Sequence, residues 1–138
     1  MKLSAFVDAN VLFSAADPTS ASANLLRAAA PVIDLVTCDY AVSEATSNVR
    51  RKTPGTEPEL LAVVRRLEVV PTSVFHLPAP LASKDVPILC SAAASGCDLL
   101  VTGDFNDFRH LFGRTVHGVR VVRPAEFAAV IAAVRSQP

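Results

Sequence analysis

The sequence predicts one α/β domain over residues 1–138, with roughly five strands in a mostly parallel sheet. Short apolar runs alternate with segments of helical periodicity, which is typical of strands joined by right-handed crossovers. The chain is long enough to bury a substantial core. Its residues are 51% hydrophobic and 19% charged, which is typical of folded rather than disordered chains.

The first half of the chain predicts three strands and four helices. Asn10 can cap a short helix, the Asp17-Pro18 pair ends it, and Pro31 ends the next helix. Asp39 can cap the helix that carries Glu44. In chain order the predicted elements are strand Leu3–Val7, helix Val11–Ala16, a helix from Ser20 or Ser22 to about Ala30, strand Val32–Thr37, helix Tyr40–Lys52, a helix from Pro58, and strand Glu68–Val70.

The second half predicts two strands and three helices. Gly96 ends an alanine-rich helix, and the strand after it is almost entirely apolar, as expected for a strand covered on both faces. The predicted elements are a helix from about Lys84-Asp85 to Ser95, strand Leu99–Thr102, a short helix from Asp104, strand Val119–Val122, and helix Ala125–Val134.

Bulk properties exclude several functional classes. No apolar stretch reaches about 18 residues, so we expect no membrane span. The first residues lack a signal-peptide pattern, and we therefore expect a cytoplasmic protein. The formal net charge is zero and gives no support for nucleic-acid binding, which would have to come from local basic clusters. Cys38, Cys90 and Cys97 have no zinc-motif spacing and predict buried, reduced thiols.

Aspartates follow two of the predicted buried strands. Asp8 comes directly after the first strand, and Asp104 follows the strand that ends in Thr102, where Gly103 permits a tight turn. Ligands of open α/β sheets bind beyond the carboxyl ends of strands, at the point where strand order reverses. Both side chains could instead cap helices. We expect Asp8 and Asp104 to be metal ligands, with Asn10 orienting Asp8.

Other acids are weaker candidates on local grounds. Asp85 opens a helix, which is an ordinary position for aspartate, and Glu44 could be an exposed helical residue. Asp107 shares a helical face with Asp104 and could be an accessory ligand or an exposed acid. Ser43 is either a supporting hydroxyl near Glu44 or an ordinary helix residue.

A cluster of three or four carboxylates suits hard divalent cations such as Mg²⁺ and Mn²⁺. Such ions position and deprotonate water and stabilise charge during phosphodiester cleavage. The sequence contains no Gly-rich phosphate loop, no G-x-S-x-G elbow and no H-E-x-x-H helix. A metal-dependent reaction on a phosphate ester is therefore the favoured chemistry.

Four stretches resemble the PIN-domain nucleases, particularly the VapC-like toxins of type II toxin–antitoxin systems, over nearly the whole chain. FVDANVLFSA resembles the first strand with its terminal Asp, and SEATSNV resembles the helix that carries the family's Glu. The most specific stretch, KDVPILCSAAASGCDLLVTGDFNDF, resembles the helix-opening Asp and the T-G-D turn. GVRVVRPAEFAAVI resembles the closing strand and helix.

The resemblance implies a PIN-like three-layer α/β/α sandwich and an acidic quartet of Asp8, Glu44, Asp85 and Asp104. It makes Asp107 an accessory candidate, with Asn10, Ser43 and Thr102 as supporting polar groups. It also implies Mg²⁺ or Mn²⁺, cleavage of single-stranded RNA, a homodimer and inhibition by a cognate antitoxin protein that inserts a tail near the acids.

The leading hypothesis is thus a metal-dependent endoribonuclease toxin, in which Asp8, Asp85 and Asp104 bind the ion. Arg50, Arg51 and Arg109 are candidate RNA phosphate contacts. One alternative is a catalytically silent binding module with the same fold. Another is a haloacid-dehalogenase-like phosphatase, although that family requires an Asp at the position of Asn10.

Overall fold

The computed structural model describes residues 2–137, which form a single six-stranded sheet in the order β3-β2-β1-β4-β6-β5. All neighbouring strands are parallel except β5 and β6, which are antiparallel. The strands are β1 Ser4–Val7, β2 Asp34–Cys38, β3 Glu68–Val70, β4 Leu99–Val101, β5 Thr115–Val116 and β6 Val119–Val122.

Helices connect the parallel strands and cover both faces of the sheet. Ala5, Phe6 and Val7 of β1 are all fully buried although their side chains alternate between faces, so the sheet is the middle layer of an α/β/α sandwich. The helices are α1 Ala9–Ala15, α2 Ala21–Ala29, α3 Asp39–Lys52, α4 Glu57–Val64, α5 Val86–Ala94, α6 Phe105–Phe108 and α7 Pro124–Arg135.

The predicted fold class is confirmed, with several local differences. Strand β2 begins at Asp34 and not at Val32, and Asp39 is the first residue of α3 and not its N-cap, which is Cys38. A sixth strand, β5, is present; two residues are too few to give a recognisable strand pattern. The first helix begins at Ala9, not Val11, because Asp8 occupies the N-cap position that the sequence analysis assigned to Asn10. Within residues 2–137, Cys38, Cys90 and Cys97 are buried and free, as predicted, and no helix is long and apolar enough to cross a membrane.

Strand order reverses between β1 and β4, and this fixes where a site can form. These neighbours pair in register at Val7 and Val101, and the backbone N–H of Asp8 donates to the carbonyl of Val101 at 3.1 Å. From β1 the chain continues toward β2, and from β4 it continues toward β6, on the other side. The connecting segments diverge here and leave a crevice at the carboxyl ends of both strands.

Candidate active site

Asp8 lies at the bottom of this crevice with only 3% of its surface exposed. Its Oδ1 accepts a hydrogen bond from the backbone N–H of Ala9 at 2.6 Å. Its Oδ2 accepts one from Thr102 Oγ1 at 2.7 Å and one from Asn10 Nδ2 at 3.2 Å. These contacts fix the orientation of a carboxylate that has almost no contact with bulk water.

Burial raises the pKa of Asp8 to about 6, because it removes water from the charged form. The hydrogen bonds from Thr102 and Ala9 oppose this shift, since they favour the ionised carboxylate. The negative charges of Glu44 and Asp104 add to the increase in pKa. Asp8 therefore lies in an environment where a nearby cation would favour its ionised form.

The turn after β4 is hydrogen-bonded to the turn after β1. Asn10 Nδ2 donates to Thr102 Oγ1 at 3.2 Å, and the backbone N–H of Gly103 donates to Asn10 Oδ1 at 2.9 Å. Thr102 Oγ1 also accepts from the backbone N–H of Asp104 at 3.1 Å. Gly103 has no left-handed backbone conformation, and a Cβ there would lie 3.4 Å from Asn10 Oδ1, at about van der Waals distance, so neither the backbone nor the space requires a glycine here.

Asp85 occupies the N-cap position of α5, but its side chain makes no capping hydrogen bond. The residue is 6% exposed, and Oδ2 has no hydrogen-bond partner within the described part of the chain. A buried carboxylate oxygen without a partner is costly. The ordinary structural explanation for aspartate at a helix N-terminus therefore does not account for Asp85.

The pKa of Asp85 is raised to about 8, with burial as the largest cause. The Asp107 carboxylate can accept a hydrogen bond from Asp85 only when Asp85 is protonated, which favours the protonated form. The negative charges of Asp8 and Asp104 act in the same direction. The positive charge of Lys84 opposes these effects. A divalent cation would offset the burial and the repulsion from neighbouring acids by pairing with the ionised carboxylate of Asp85.

Asp104 and Asp107 lie at the start of α6, beside Asp85. Asp104 Oδ1 caps α6 by accepting from the backbone N–H of Asp107 at 3.0 Å. Carboxylate oxygens of Asp85, Asp104 and Asp107 all lie within 4.8 Å of one another. Oxygen donors in this number and at this spacing fit Mg²⁺ or Mn²⁺ better than a softer metal.

Lys84 supplies a positive charge to this cluster. Its Nζ lies 3.0 Å from Asp107 Oδ2 and 3.7 Å from Asp104 Oδ2. The Lys84 ammonium lowers the pKa of Asp107, and the hydrogen bond with Asp107 raises that of Lys84. Lys84 thus neutralises part of the cluster and leaves Asp85 Oδ2 without a partner.

Glu44 comes from α3, which packs against α1, and it is half-buried. Together with the three predicted ligands it borders one cleft of about 210 Å³, whose further polar lining includes Asn48 and Lys84. The four acids singled out in the sequence therefore lie around one cleft, although they come from four different parts of the chain: Asp8, Glu44, Asp85 and Asp104.

A second polar cleft, of about 510 Å³, continues from the first along α3. It shares Glu44, Asn48 and Lys84 with the acidic cleft, and Ser43, Arg51 and Lys52 also border it. Ser43 is thus next to Glu44 but on the outer cleft. Basic side chains beside an acidic centre provide contacts for a polyanionic chain.

The three candidate arginines differ in position. Arg51 Nη2 donates to Asn48 Oδ1 at 2.7 Å at the border of the outer cleft. Arg50 Nε instead forms an ion pair with Glu57 Oε1 at 3.1 Å and borders neither of these two clefts. Arg109 is exposed at the C-terminal end of α6.

Lys84 and Asn48 border the clefts but were not predicted from the sequence, whereas Lys52 belongs to a local basic cluster with Arg50 and Arg51. Asn48 and Arg51 are four and seven residues after Glu44, so helical periodicity alone would have put them on one face. The ion pair of Lys84, which lies just before α5, with Asp107 in α6 spans 23 positions of the chain, and no local pattern indicates it.

Comparison with known proteins gives the fold a name. No family model and no curated protein matches the sequence. A chain in the crystal structure of VapBC2 from Rickettsia felis, bound to a promoter DNA fragment, is 15% identical with a TM-score of 0.66; the match covers 88% of this chain and 98% of that one. The chain has the VapC-like PIN fold.

A second match is VapC20 of Mycobacterium tuberculosis, described as a toxin that cleaves the sarcin–ricin loop. It is 11% identical, covers 81% of this chain and 98% of its own, and has a TM-score of 0.58. The structural similarity to these two chains shows the PIN-like three-layer fold that the resemblance of the sequence motifs implied. The acids of the present chain lie where strand order reverses in that fold.

Proposed function

We propose that the chain is a metal-dependent endoribonuclease that cleaves RNA phosphodiester bonds as the toxin of a toxin–antitoxin module. The fold supports a member of the nuclease toxins, because the two similar structures described above are a VapBC complex and a VapC toxin. The geometry of the two clefts supports the metal, the substrate and the roles of individual residues.

The unpartnered Oδ2 of Asp85 is the observation that carries this proposal. Asp85 is almost fully buried, its pKa is raised to about 8, and it adjoins three further acids. A protein that only needed a helix cap would gain nothing from this arrangement. The arrangement is explained if a cation binds the free Oδ2 of Asp85 and neutralises the charge of the carboxylate.

Asp8, Asp85 and Asp104 would hold the Mg²⁺ or Mn²⁺ ion, and Glu44 would complete the negative cluster. A divalent ion bound there supplies charge stabilisation at phosphate oxygens and activation of the attacking water. Thr102 and Asn10 keep the Asp8 carboxylate in one orientation through their hydrogen bonds.

Positive charge beside the acids supports a nucleic-acid substrate. Lys84, Arg51 and Lys52 border the outer cleft, which is continuous with the acidic one. RNA phosphates would follow this cleft toward the ion. Asp107 would be an accessory acid that positions Lys84 through their 3.0 Å contact. Arg109 remains a candidate phosphate contact, and Arg50 is a weaker one because Glu57 already pairs with it.

Protein partners follow from the same proposal. An apolar cleft of about 260 Å³ lies between α2 and α4, bordered by Leu26 and Val63, by the basic side chains of Arg27 and Arg66, and by one acid, Glu59. A cognate antitoxin segment with apolar and acidic residues would complement it. We further expect a homodimer in the cytoplasm. Co-purification with the product of a neighbouring small reading frame tests the antitoxin assignment.

Cleavage of labelled single-stranded RNA with added Mn²⁺ tests the enzymatic proposal. We expect Asp8→Asn to reduce the rate by more than about 100-fold, because ion-mediated stabilisation of the transition state is worth several kcal/mol. Asp34→Asn is the matched control: it makes the same chemical change at an exposed residue that pairs with Lys2. Cleavage that survives a chelator or Asp8→Asn would reject the mechanism.

A silent binding module is the second candidate, and the position of Lys84 favours it. The Lys84 ammonium already neutralises part of the cluster through Asp104 and Asp107. Such a protein would bind its partner without metal affinity or nuclease activity. The phosphatase alternative has lost its support, because the fold is that of VapC-like PIN domains.

A further inference from the structure

Phe105 follows Asp104 directly and is 55% exposed, which is unusual for a large aromatic side chain. The Asp104 cap sets the register of α6, so that Phe108, three residues later, points into the core with no exposed surface. Phe105, at the first helical position, stays outside the core, although helical spacing alone would place it on the same side as Phe108. Because Phe105 directly follows Asp104, a predicted metal ligand that caps α6, the position of one residue constrains that of the other.

Phe105 is held by two neighbours, and the three residues form a small surface cluster. Its ring lies 5.8 Å from the ring of Phe112, tilted by 50°. The guanidinium carbon of Arg123 lies 4.8 Å from the centre of the Phe112 ring and 6.0 Å from that of Phe105. Aromatic and cation–π contacts of this kind limit the motion of an exposed ring.

A ring at this position would be within reach of a nucleotide whose phosphate binds the cation that the acids are proposed to hold. Adjacent Cα atoms are about 3.8 Å apart, so the Phe105 backbone is next to that of Asp104. Unpaired bases stack on exposed aromatic side chains, and every base offers a π-face. Arg123 adds positive charge at the same surface.

We propose that Phe105 stacks against an unpaired base of the RNA, next to the phosphate that is cleaved, and that Phe112 and Arg123 hold its ring. This inference rests on the proposed nuclease function. Stacking on Phe105 would make the protein prefer single-stranded over paired RNA, because a base within a duplex already stacks on its neighbours and is not free to stack on the ring.

Steady-state cleavage of single-stranded RNA by Phe105 variants gives the first test. Phe105→Ala should raise KM by about 5-fold to 150-fold, the range for removing one aromatic–base stack. Phe105→Tyr should retain the KM of the unmodified protein, whereas Phe105→Leu, which is apolar but not aromatic, should not. An unchanged KM in Phe105→Ala overturns the inference.

Fluorescence gives a test that does not depend on cleavage. The chain has no tryptophan, so Phe105→Trp introduces a unique probe. We combine it with Asp8→Asn to prevent turnover and titrate a single-stranded RNA of about ten nucleotides, within the size range of such sites. Stacking should quench the tryptophan fluorescence saturably. Absence of quenching at RNA concentrations that saturate the protein, or absence of any RNA binding, overturns the inference.

Phe75→Trp in the same background is the matched control. Phe75 is also exposed, but it packs edge-on against His117, in the β5–β6 turn at the opposite edge of the sheet. Its fluorescence should not change with RNA. Equal quenching at both positions would mean non-specific contact and would overturn the inference.

The two proposals fail in different ways. If the unmodified protein cleaves RNA in an Asp8-dependent manner but Phe105→Ala has the same KM, only the stacking inference fails. If no RNA is cleaved with Mn²⁺, the nuclease proposal fails, and quenching still reports on stacking separately. If Phe105→Ala changes the molar mass in solution and leaves KM unchanged, Phe105 belongs to an interface between copies of the chain, and the inference is wrong.

Discussion

Aspartates lie at both edges of the sheet, but their surroundings differ. At the edge where the strands begin, Asp34 is exposed and pairs with Lys2 at 3.4 Å, and Asp98 Oδ2 accepts a hydrogen bond from the backbone N–H of Ser4 at 2.9 Å. At the other edge, Asp8 and Asp85 are only 3% and 6% exposed. Their pKa values are raised to about 6 and about 8.

The difference separates acids that stabilise local structure from the acids that we propose to bind a metal ion. Carboxylates at the first edge are solvated and hydrogen-bonded, so they stabilise local structure without a ligand. Carboxylates at the second edge repel one another in a place with little water, and one oxygen of Asp85 has no partner in the described structure. Local destabilisation of this kind, by crowded and buried acids, is typical of binding and catalytic sites.

Removing the hydrogen bond from Thr102 to Asp8 should have the largest effect of these changes on the proposed metal site. Thr102→Val keeps the shape of this fully buried residue but removes the 2.7 Å hydrogen bond to Asp8. We expect metal affinity and activity to fall by about 10- to 100-fold, as for other groups that orient metal ligands. The pKa of Asp8 should also rise above about 6 and move the acidic limb of the pH–rate profile upward.

Comparison with Thr37→Val completes that test. Thr37 is equally buried and donates to the carbonyl of Val7, but it does not contact an acid. Thr37→Val should lower stability without moving the pH profile. Identical pH profiles for Thr102→Val and the unmodified protein would show that Asp8 does not depend on this hydrogen bond.

The stability of the metal-free protein should fall as the pH rises from about 4 to about 8. The carboxyl of Asp85 ionises near pH 3.8 in the unfolded chain but near pH 8 in the folded protein. The folded state therefore binds more protons across this interval, and the free energy of unfolding decreases with pH. Asp8 contributes in the same direction up to about pH 6.

Urea unfolding in a chelator at several pH values measures this slope. Asp85→Asn should flatten the curve above about pH 6 and stabilise the metal-free protein by on the order of 2 kcal/mol at about pH 8. Asp34→Asn should leave the slope unchanged. If Asp85→Asn and the unmodified protein give parallel curves, Asp85 is not under electrostatic strain.

A smaller effect should distinguish the two neighbouring arginines of α3. Arg51 borders the cleft that continues from the acids, whereas Arg50 pairs with Glu57 outside it. Arg51→Ala should weaken RNA binding a few-fold. It should also reduce the slope of log K against log salt concentration by the contribution of about one phosphate contact. Arg50→Ala should do neither. Binding isotherms at several salt concentrations measure both, and equal effects would contradict the proposed RNA path.

Sequence reasoning predicted the parts of the site that depend on strand ends. Asp8 and Asp104 follow apolar runs, and parallel pairing brings the ends of such runs to one edge. Glu44 and Asp85 looked like ordinary helical residues, and only the family resemblance favoured them. Their proximity to Asp8 depends on how α3 and α5 pack, which no local pattern encodes.

Finer features needed the structure for physical reasons. Consecutive helical residues point about 100° apart, so Arg50 and Arg51 could be separated only once the face carrying Glu44 was known. The contact of Lys84 with Asp107 joins distant segments, and β5 is too short to have a periodicity. The fold was predictable because alternating strands and helices leave few possible topologies.

Calorimetric titration of Mn²⁺ into the chelator-treated protein tests most directly whether the acids form one cation site. We expect saturable binding by the unmodified protein and by Asp34→Asn, and affinity at least about 100-fold weaker in Asp85→Asn, because a ligand itself is removed. Absence of binding to the unmodified protein, or equal affinity in Asp85→Asn, would contradict this expectation.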